Sequence, residues 1–165
     1  MTRAIDWPPG LEPENCAFVA ENTVFCDVAP ERIWAWLVRP LTWPDHYPGA
    51  SSVRFVRGSE GPLLSMGACI SWRVSWRMMS LRVTATIDRF EENAYLGWSG
   101  SGFGTRAHHV WTLERDGKGT RFYTAEAQRG PGSKVLAPIL KKRIEEAHQS
   151  WLEGLVRAAE KSAPR

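Results

Sequence analysis

His109 and Glu126 are the two residues of this sequence whose types and spacing could do chemistry together. Residues 116–119 have the composition of a tight turn, and a short loop there sets Arg115 opposite Thr120 on neighbouring strands. Equal steps back along one strand and forward along the other bring His109 opposite Glu126. An imidazole beside a carboxylate can act as a general base and its orienting partner, or hydrogen-bond one polar group of a ligand.

The face that carries this pair is predicted to be the apolar, inward-facing side of its strands. The same register pairs Trp111 with Thr124 on the side of His109 and Glu126. Charged groups that leave water are costly unless they bond to one another, and a desolvated pair within about 6 Å shifts each pKa by roughly one to three units. Two structural alternatives stay open: Glu126 only anchors His109, or both residues lie at the rim in water.

His148 is a third candidate for the site. It follows Ile144 and precedes Trp151 at the edge of an apolar helical stripe, although a half-exposed helix histidine is an equally good interpretation. His108 must point away from His109 on the same strand, so the adjacent pair cannot chelate one metal ion. No other spacing of histidines and carboxylates suggests a metal, and the sequence predicts neither a metal nor a cofactor.

Tryptophans suggest the wall of a pocket, since the chain has nine of them. Residues 70–78 alternate between large apolar and small or charged side chains, which sets two tryptophans on one dry face. Such tryptophans are more often core packing than a ligand platform, but an empty pocket of about 300 Å³ would cost roughly 7 kcal/mol. We therefore expect tryptophans to narrow a pocket that still admits a flat apolar molecule. The predicted lining residues are Trp72, Val74, Trp98, Trp111, Thr124, Leu140, Ile144, His148 and Trp151.

Length and composition are typical of one soluble domain. The 165 residues are 43% hydrophobic and 24% charged, with a mean hydropathy of −0.33. No apolar run approaches the roughly 20 residues of a membrane span. Residues 1–14 form a Pro-rich arm without the apolar stretch of a secretory signal, and residues 15–161 form the domain. The sequence therefore predicts a cytoplasmic protein whose arm and last residues, 161–165, are mobile.

Cysteines and charge exclude several classes of protein. Cys16, Cys26 and Cys69 are odd in number and lack C-x-x-C spacing, which favours buried small hydrophobes over disulfides or a structural zinc site. The net charge is +3, and the basic run at 141–143 is followed at once by acidic residues. This interspersed charge indicates a solvated helix face and predicts no binding of nucleic acid.

Strand signals run from the start of the domain to residue 128. Residues 81–87 alternate as cleanly as 70–78 and predict a half-buried sheet. Short turn signals favour an antiparallel meander over βαβ units. Pro30 is placed to begin a short helix, and the aromatic segment 43–49 is a turn with room for one helical turn. The predicted strands span residues 16–26, 53–57, 68–78, 81–90, 95–100, 108–115 and 120–128.

After residues 130–132 the apolar period changes to 3.6, which predicts a helix of about seven turns. Pro138 lies near its beginning and should either start the regular helix or kink it. A helix and a sheet with one apolar face each cover one another, so we expect this helix to cross the concave side of the sheet. Its apolar stripe comprises Leu136, Leu140, Ile144, Ala147, Trp151, Leu155 and Ala159.

Several short segments carry a family resemblance: residues 28–34, the Trp43-Pro44 turn, residues 109–113, residues 119–121 and Glu126. In this order of elements they resemble the polyketide cyclase/dehydrase branch of the START-like, SRPBCC superfamily, over about residues 16–160. The resemblance implies an α+β helix-grip fold, a curved antiparallel sheet wrapped around the long C-terminal helix with a hydrophobic cavity between them. Members include aromatic polyketide cyclases, lipid and hormone carriers, and co-chaperones. Fold alone does not choose among these roles.

Three hypotheses of function follow, all for a monomer or homodimer. The first is a protein that binds a small hydrophobic, aromatic or polycyclic molecule, with His109 and Glu126 recognising one polar substituent. The second is a cofactor-independent cyclase or dehydratase in which the same pair moves a proton. The third is a co-chaperone-like interaction module, which predicts a collapsed cavity and an exposed apolar patch.

Overall fold

Strands of this protein form a single antiparallel sheet in the order β1-β7-β6-β5-β4-β3-β2. The computed structural model describes residues 3–76, 79–102 and 104–164. Within these ranges three α-helices accompany the sheet, and short 3₁₀ turns lie at Pro13–Asn15 and Pro40–Thr42. The strands are β1 (Phe18–Cys26), β2 (Ala50–Phe55), β3 (Cys69–Trp76), β4 (Met79–Glu91), β5 (Tyr95–Gly102), β6 (Thr105–Asp116) and β7 (Gly119–Arg129), and the helices are α1 (Pro30–Leu37), α2 (Trp43–His46) and α3 (Pro131–Lys161). This is the predicted α+β helix-grip arrangement.

The register of β6 and β7 confirms the sequence prediction. Arg115 lies opposite Thr120, and the same ladder sets His109 opposite Glu126. The turn between the strands contains Gly117 with a φ of 58°, a left-handed conformation that glycine adopts without strain. The tight turn therefore determines which inward-facing residues meet.

Several strand boundaries differ from the prediction. The edge strand β2 begins at Ala50 instead of 53, and its pairing with β3 is interrupted by a bulge between Ser51 and Arg54. The first strand begins at Phe18 instead of 16. Strand β5 ends later than predicted, at Gly102, and strand β6 begins earlier, at Thr105. Their ladder hydrogen bonds continue past the point where the apolar alternation stops. Predicted strand residues 77 and 78 lie outside the described residues.

Helix α1 begins where the sequence places it. Pro30 stands in the first turn, where its missing N–H costs nothing, and Glu31 follows. Ile33, Trp34 and Leu37 are buried against the core. The predicted aromatic turn contains α2, a single helical turn that begins at residue 43.

Helix α3 crosses the concave side of the sheet, packing mainly on β1, β7 and α1. Its C-terminal half buries Trp151, Leu155 and Ala159 as the apolar stripe predicts. Pro138 lies inside the helix, which already begins at Pro131, so Pro138 does not start it. Among the described helices, none is long and apolar enough to cross a membrane.

The N-terminal arm is packed against the sheet, contrary to the expected mobility. Trp7 meets the His108 ring edge-on at 5.9 Å on the outer face of the sheet. Leu11 is only 1% exposed, and the arm covers an outer cluster that includes Tyr95 and Val110. His108 points away from His109 as predicted, but the arm buries it. At the other end of the chain, Trp36 donates its indole N–H to the Ser162 carbonyl.

The cysteines are less uniformly buried than predicted. Cys69 is buried, whereas Cys16 and Cys26 are half-buried, and all three are free thiols. Cys26 belongs to the edge strand β1, and one side of this strand pairs with no other strand of the described residues. Its position at an edge explains the residual exposure.

Candidate functional site

The deep end of the space between helix and sheet is filled by tryptophans. Trp43 and Trp111 are fully buried, and the other members of this cluster are at most 4% exposed. Ring centroids of Trp151 lie 4.9 Å from those of both Trp43 and Trp111, and those of Trp43 and Trp98 are 5.6 Å apart. The rings therefore pack on one another, and the space for a flat molecule that we expected among them is occupied by side chains. The tryptophan cluster comprises Trp43, Trp72, Trp98, Trp111 and Trp151.

The tryptophan cluster contains donors that lack acceptors. The indole N–H of Trp43 donates to the Leu37 carbonyl at 2.9 Å. The buried indole nitrogens of Trp72, Trp111 and Trp151 find no hydrogen-bond partner within the described part of the chain. An unsatisfied buried donor costs about 1–3 kcal/mol. The interior is therefore lined by apolar rings but retains indole N–H donors that have no acceptor in the described structure.

At the opposite end of the interior, the inward-facing side chains are more exposed. On the inner face of β4, exposure rises from 1% at Ile87 to 42% at Leu81. On the inward stripe of α3, Trp151 is 3% exposed, whereas Ile144 and Leu140 towards the beginning of the helix are half-buried. Both gradients increase in the same direction, because α3 begins where β7 ends, at the end of the sheet that holds the β3–β4 and β5–β6 turns. We call this end the mouth, lined by half-buried Val74, Val83, Leu140 and Ile144.

Three polar side chains meet between the tryptophan cluster and the mouth, and we call His109, Glu126 and His148 the polar trio. Oε2 of Glu126 lies 3.5 Å from Nδ1 of His109 and 3.3 Å from Nε2 of His148. The two imidazole rings stack with centroids 4.3 Å apart and planes inclined by 25°. One candidate ligand atom from each residue lies within 4.8 Å of the other two. Because both histidines are buried and Glu126 is only partly exposed, the trio is a polar island in an apolar interior.

Hydrogen bonds determine which nitrogen of His109 carries its proton. Thr124 donates its only hydroxyl hydrogen to the Val110 carbonyl at 2.8 Å, so its oxygen accepts from Nε2 of His109 at 2.7 Å. Burial holds the pKa of His109 well below its ordinary value, and the neighbouring His148 and His108 lower it further. The imidazole is therefore neutral, with its Nδ1 lone pair on the side of Glu126.

The other members of the polar trio are held from both sides. Oε1 of Glu126 accepts a hydrogen bond from the side-chain amide of Gln128, which orients the carboxylate. Nε2 of His148 donates to Oε2 of Glu126, while its buried Nδ1 is without a partner among the described residues. Glu126 thus offers oxygen atoms that are already fixed in position.

Tyr47 is a site residue that the sequence analysis missed. Its ring stacks on Trp151 with centroids 5.0 Å apart, and a Cβ at Gly49 would stand only 2.3 Å from its hydroxyl oxygen. Burial raises the pKa of Tyr47, and the nearby Glu126 carboxylate raises it further. The tyrosine therefore lies beside the polar trio as a neutral hydroxyl. Its only sequence signal was membership of an aromatic turn.

The predicted site residues fall into three groups, of which the four tryptophans belong to the tryptophan cluster. His109, Glu126, His148 and Thr124 meet through hydrogen bonds and ring stacking, whereas Leu140, Ile144 and Val74 stand at the mouth. Trp43 joins the site from α2, and no periodicity in its segment could have assigned it to the interior. A separate surface groove of about 400 Å³ contains none of the predicted residues; it is lined by Trp36, Arg39, Leu41, Thr42, Pro62, Ser162, Ala163 and Pro164.

Solved structures similar to this chain share its fold. A hypothetical protein from Helicobacter pylori, jhp0584, superposes with a TM-score of 0.85 at 22% identity, covering 96% of this chain and 98% of that one. The Ara h 8.0201 structure gives a TM-score of 0.70 at 15% identity over 87% and 98% of the two chains. The ZhuI aromatase/cyclase from Streptomyces sp. R1128 gives 0.71 at 16% identity over 87% and 93%.

Sequence comparison identifies the family. No curated protein matches the chain significantly. A family model described as polyketide cyclase / dehydrase and lipid transport matches residues 17–160, nearly the whole chain. The match includes every strand, all three α-helices apart from the last residue of α3, and the polar trio. The chain therefore belongs to the polyketide cyclase / dehydrase and lipid transport family.

Proposed function

We propose that this protein binds a small hydrophobic molecule whose apolar body enters through the mouth and whose polar substituent is held by the polar trio. The observation that carries this proposal is the position of Glu126 and the two histidines at the boundary between an apolar opening and a wall of tryptophans. A polar group at that place meets a fixed carboxylate, while the apolar body lies among the aliphatic side chains of the mouth.

Unused hydrogen-bonding groups support the same proposal. The indole N–H groups of Trp111 and Trp151, and Nδ1 of His148, are buried without partners in the described chain. An acceptor atom of the ligand can satisfy an indole donor, and a donor of the ligand can satisfy the Nδ1 lone pair of His148, whose proton is on Nε2. The tryptophan cluster sets the size limit: the ligand occupies the mouth and the trio, and reaches deeper only where a ring moves.

The test uses a matched pair of probes and a matched pair of variants. Quenching of tryptophan fluorescence follows binding of naphthalene and of 2-naphthol, which differ by one hydroxyl. We expect 2-naphthol to bind at least about tenfold more tightly, because a hydrogen bond to a charged group contributes about 1.5–3 kcal/mol. Glu126→Gln removes that preference. Equal affinities for both probes in the wild-type protein would contradict recognition by the trio.

Two isoleucines of α3 report whether the mouth is the entrance. Ile144 is half-buried at the mouth, whereas Ile139 is 59% exposed. Ile144→Arg sets a charge at the entrance and should abolish binding of both probes, while Ile139→Arg should leave it within twofold. If both variants bind alike, the ligand does not enter here.

A cyclase or dehydratase activity is the second candidate, favoured by the tautomer of His109. Its Nδ1 lone pair is free to accept a proton, and Thr124 holds the ring in place. On this proposal Glu126→Gln abolishes turnover of a polyketide-like substrate while apolar binding stays within about tenfold. If turnover and apolar binding fall by the same factor in this variant, only the binding role is left.

An interaction module resembling a co-chaperone is the third reading. It draws on exposed Val135 and Ile139 on α3, which are 80% and 59% exposed. Here the Ile139→Arg variant, which spares ligand binding, abolishes partner capture in a pull-down.

We also propose a location in the cytoplasm and a monomeric or homodimeric state, both expected from the sequence. Cell fractionation checks the location, and sedimentation checks the oligomeric state.

A further inference from the structure

The polar trio has the donor set of a transition-metal site as well as that of a binding pocket. Two imidazole nitrogens and one carboxylate oxygen come together from β6, β7 and α3. In a tetrahedral zinc site with bonds of about 2.1 Å, neighbouring ligand atoms stand about 3.4 Å apart. The distances from Oε2 of Glu126 to the nitrogens of His109 and His148, 3.5 and 3.3 Å, match two such edges.

The hydrogen bonds of His109 leave a lone pair where a cation would bind. Its Nε2 donates to Thr124, so Nδ1 faces the carboxylate oxygen of Glu126 without a hydrogen between them. Two electron-rich atoms at this distance repel one another unless a positive charge stands between them. A metal ion supplies that charge with no rearrangement of the Thr124 bond.

Outer hydrogen bonds are those expected around metal ligands. A metal-bound histidine donates its second N–H to an oxygen acceptor, and a metal-bound carboxylate accepts a further hydrogen bond. His109 has Thr124 in the first role, and Glu126 has Gln128 in the second. These two contacts hold the ligand atoms in place independently of any ion.

One adjustment is required. The imidazole planes of His109 and His148 are inclined by only 25°, whereas an ion must lie near both planes. His148 exchanges the hydrogen bond from its Nε2 to Glu126 for a bond to the ion, and its proton moves to Nδ1, which has no partner among the described groups. The remaining coordination position then faces the mouth.

We propose that His109, Glu126 and His148 bind a divalent transition-metal ion of the zinc type, with one position left open towards the mouth. Imidazole and carboxylate ligands suit Zn²⁺ and Co²⁺, and three protein ligands with an open position are characteristic of reactive instead of structural zinc sites. The inference goes beyond the proposed function, because it requires no apolar ligand and rests on the donor geometry alone.

The experiment titrates the full-length, EDTA-treated protein with Co²⁺ and then displaces it with Zn²⁺. We expect one equivalent of Co²⁺ with the visible d–d absorption of a tetrahedral nitrogen and oxygen site, and a micromolar or tighter dissociation constant for Zn²⁺ by calorimetry. His148→Gln and Glu126→Gln should each weaken Zn²⁺ binding at least a hundredfold, and Thr124→Val ten- to a hundredfold. His46→Gln, a half-buried histidine outside the trio, is the control and should change affinity less than twofold.

Three outcomes would overturn the proposal. The first is no saturable Co²⁺ or Zn²⁺ binding by the wild-type protein at 100 μM metal, a result that needs no variant to fold. The second is a thiolate-to-metal charge-transfer band, which would place the ion on a cysteine. The third is Zn²⁺ affinity unaffected by His148→Gln and Glu126→Gln in protein whose circular dichroism is unchanged. Naphthol binding measured in EDTA separates this failure from a failure of the proposed function.

Discussion

Replacing Trp98 by alanine tests whether the deep end of the interior is packed as described. Trp98 is 3% exposed, and its ring contacts those of Trp43, Trp72 and Trp111. Burying 150–250 Å² at about 25 cal/mol per Å² corresponds to about 4–6 kcal/mol. Alanine keeps only a methyl group, and large-to-small changes of this kind cost about 3–5 kcal/mol. We therefore expect Trp98→Ala to lower the free energy of unfolding by about 4 kcal/mol.

Urea denaturation followed by circular dichroism measures this loss. With a slope of about 2 kcal/mol/M the midpoint should fall by about 2 M. Trp36→Ala is the control: Trp36 is half-exposed, and its loss should cost no more than about 2 kcal/mol. Indole at millimolar concentration should raise the midpoint of Trp98→Ala by more than that of wild type, because the variant gains a ring-sized cavity inside the tryptophan cluster. A loss below about 1.5 kcal/mol, or one equal to that of Trp36→Ala, would refute the packing argument.

Three further predictions concern the elements that hold the site. Asp88 has a pKa below its ordinary value of 3.8, because hydrogen bonds from His108 and Ser99 outweigh the opposing effect of burial. The carboxylate's contribution to the free energy of unfolding is present above the ordinary pKa and is lost as the pH falls through the lowered pKa. The difference in unfolding free energy between wild type and Asp88→Asn should therefore vanish in acid. A difference that stays constant with pH would contradict this. Gly154→Ala should destabilise α3 although alanine favours helix, since the added Cβ would stand 1.9 Å from the His46 carbonyl oxygen; a rise in melting temperature would be the contrary result. Trp7→Ala should cost about 2 kcal/mol in urea, and an unchanged midpoint would show that the arm is not held against the sheet.

The sheet and the long helix were predictable because apolar residues recur along the sequence with the periods of a strand and of a helix. Alternation in 70–78 and 81–87 indicated strands, and the tight turn set the ladder that brings His109 opposite Glu126. The apolar stripe of α3 required a partner surface, and the concave face of the sheet was the one available. These are local patterns whose consequences propagate by simple geometry.

Placement across elements was not predictable in the same way. His148 lies at the edge of its stripe, and only the distance between α3 and β7 decides whether it meets Glu126 or water. Trp43 comes from a turn without periodicity, yet it fills the centre of the tryptophan cluster. Whether tryptophans leave space between them depends on the separation of helix and sheet, which no one-dimensional pattern encodes. The arm packs through Trp7, whose partner His108 lies 101 positions along the chain.

Indole resonances provide the most direct test of the central claim, that an apolar ligand is bound between the mouth and the tryptophan cluster with its polar group at the trio. Titration of ¹⁵N-labelled protein with 2-naphthol should shift the Nε1–H signals of Trp72, Trp111 and Trp151, which are buried without acceptors in the described structure. The signals of Trp7 and Trp36, which lie outside the tryptophan cluster, should stay in place. Shifts confined to those two outer tryptophans, with the three interior signals unchanged at saturation, would contradict the account.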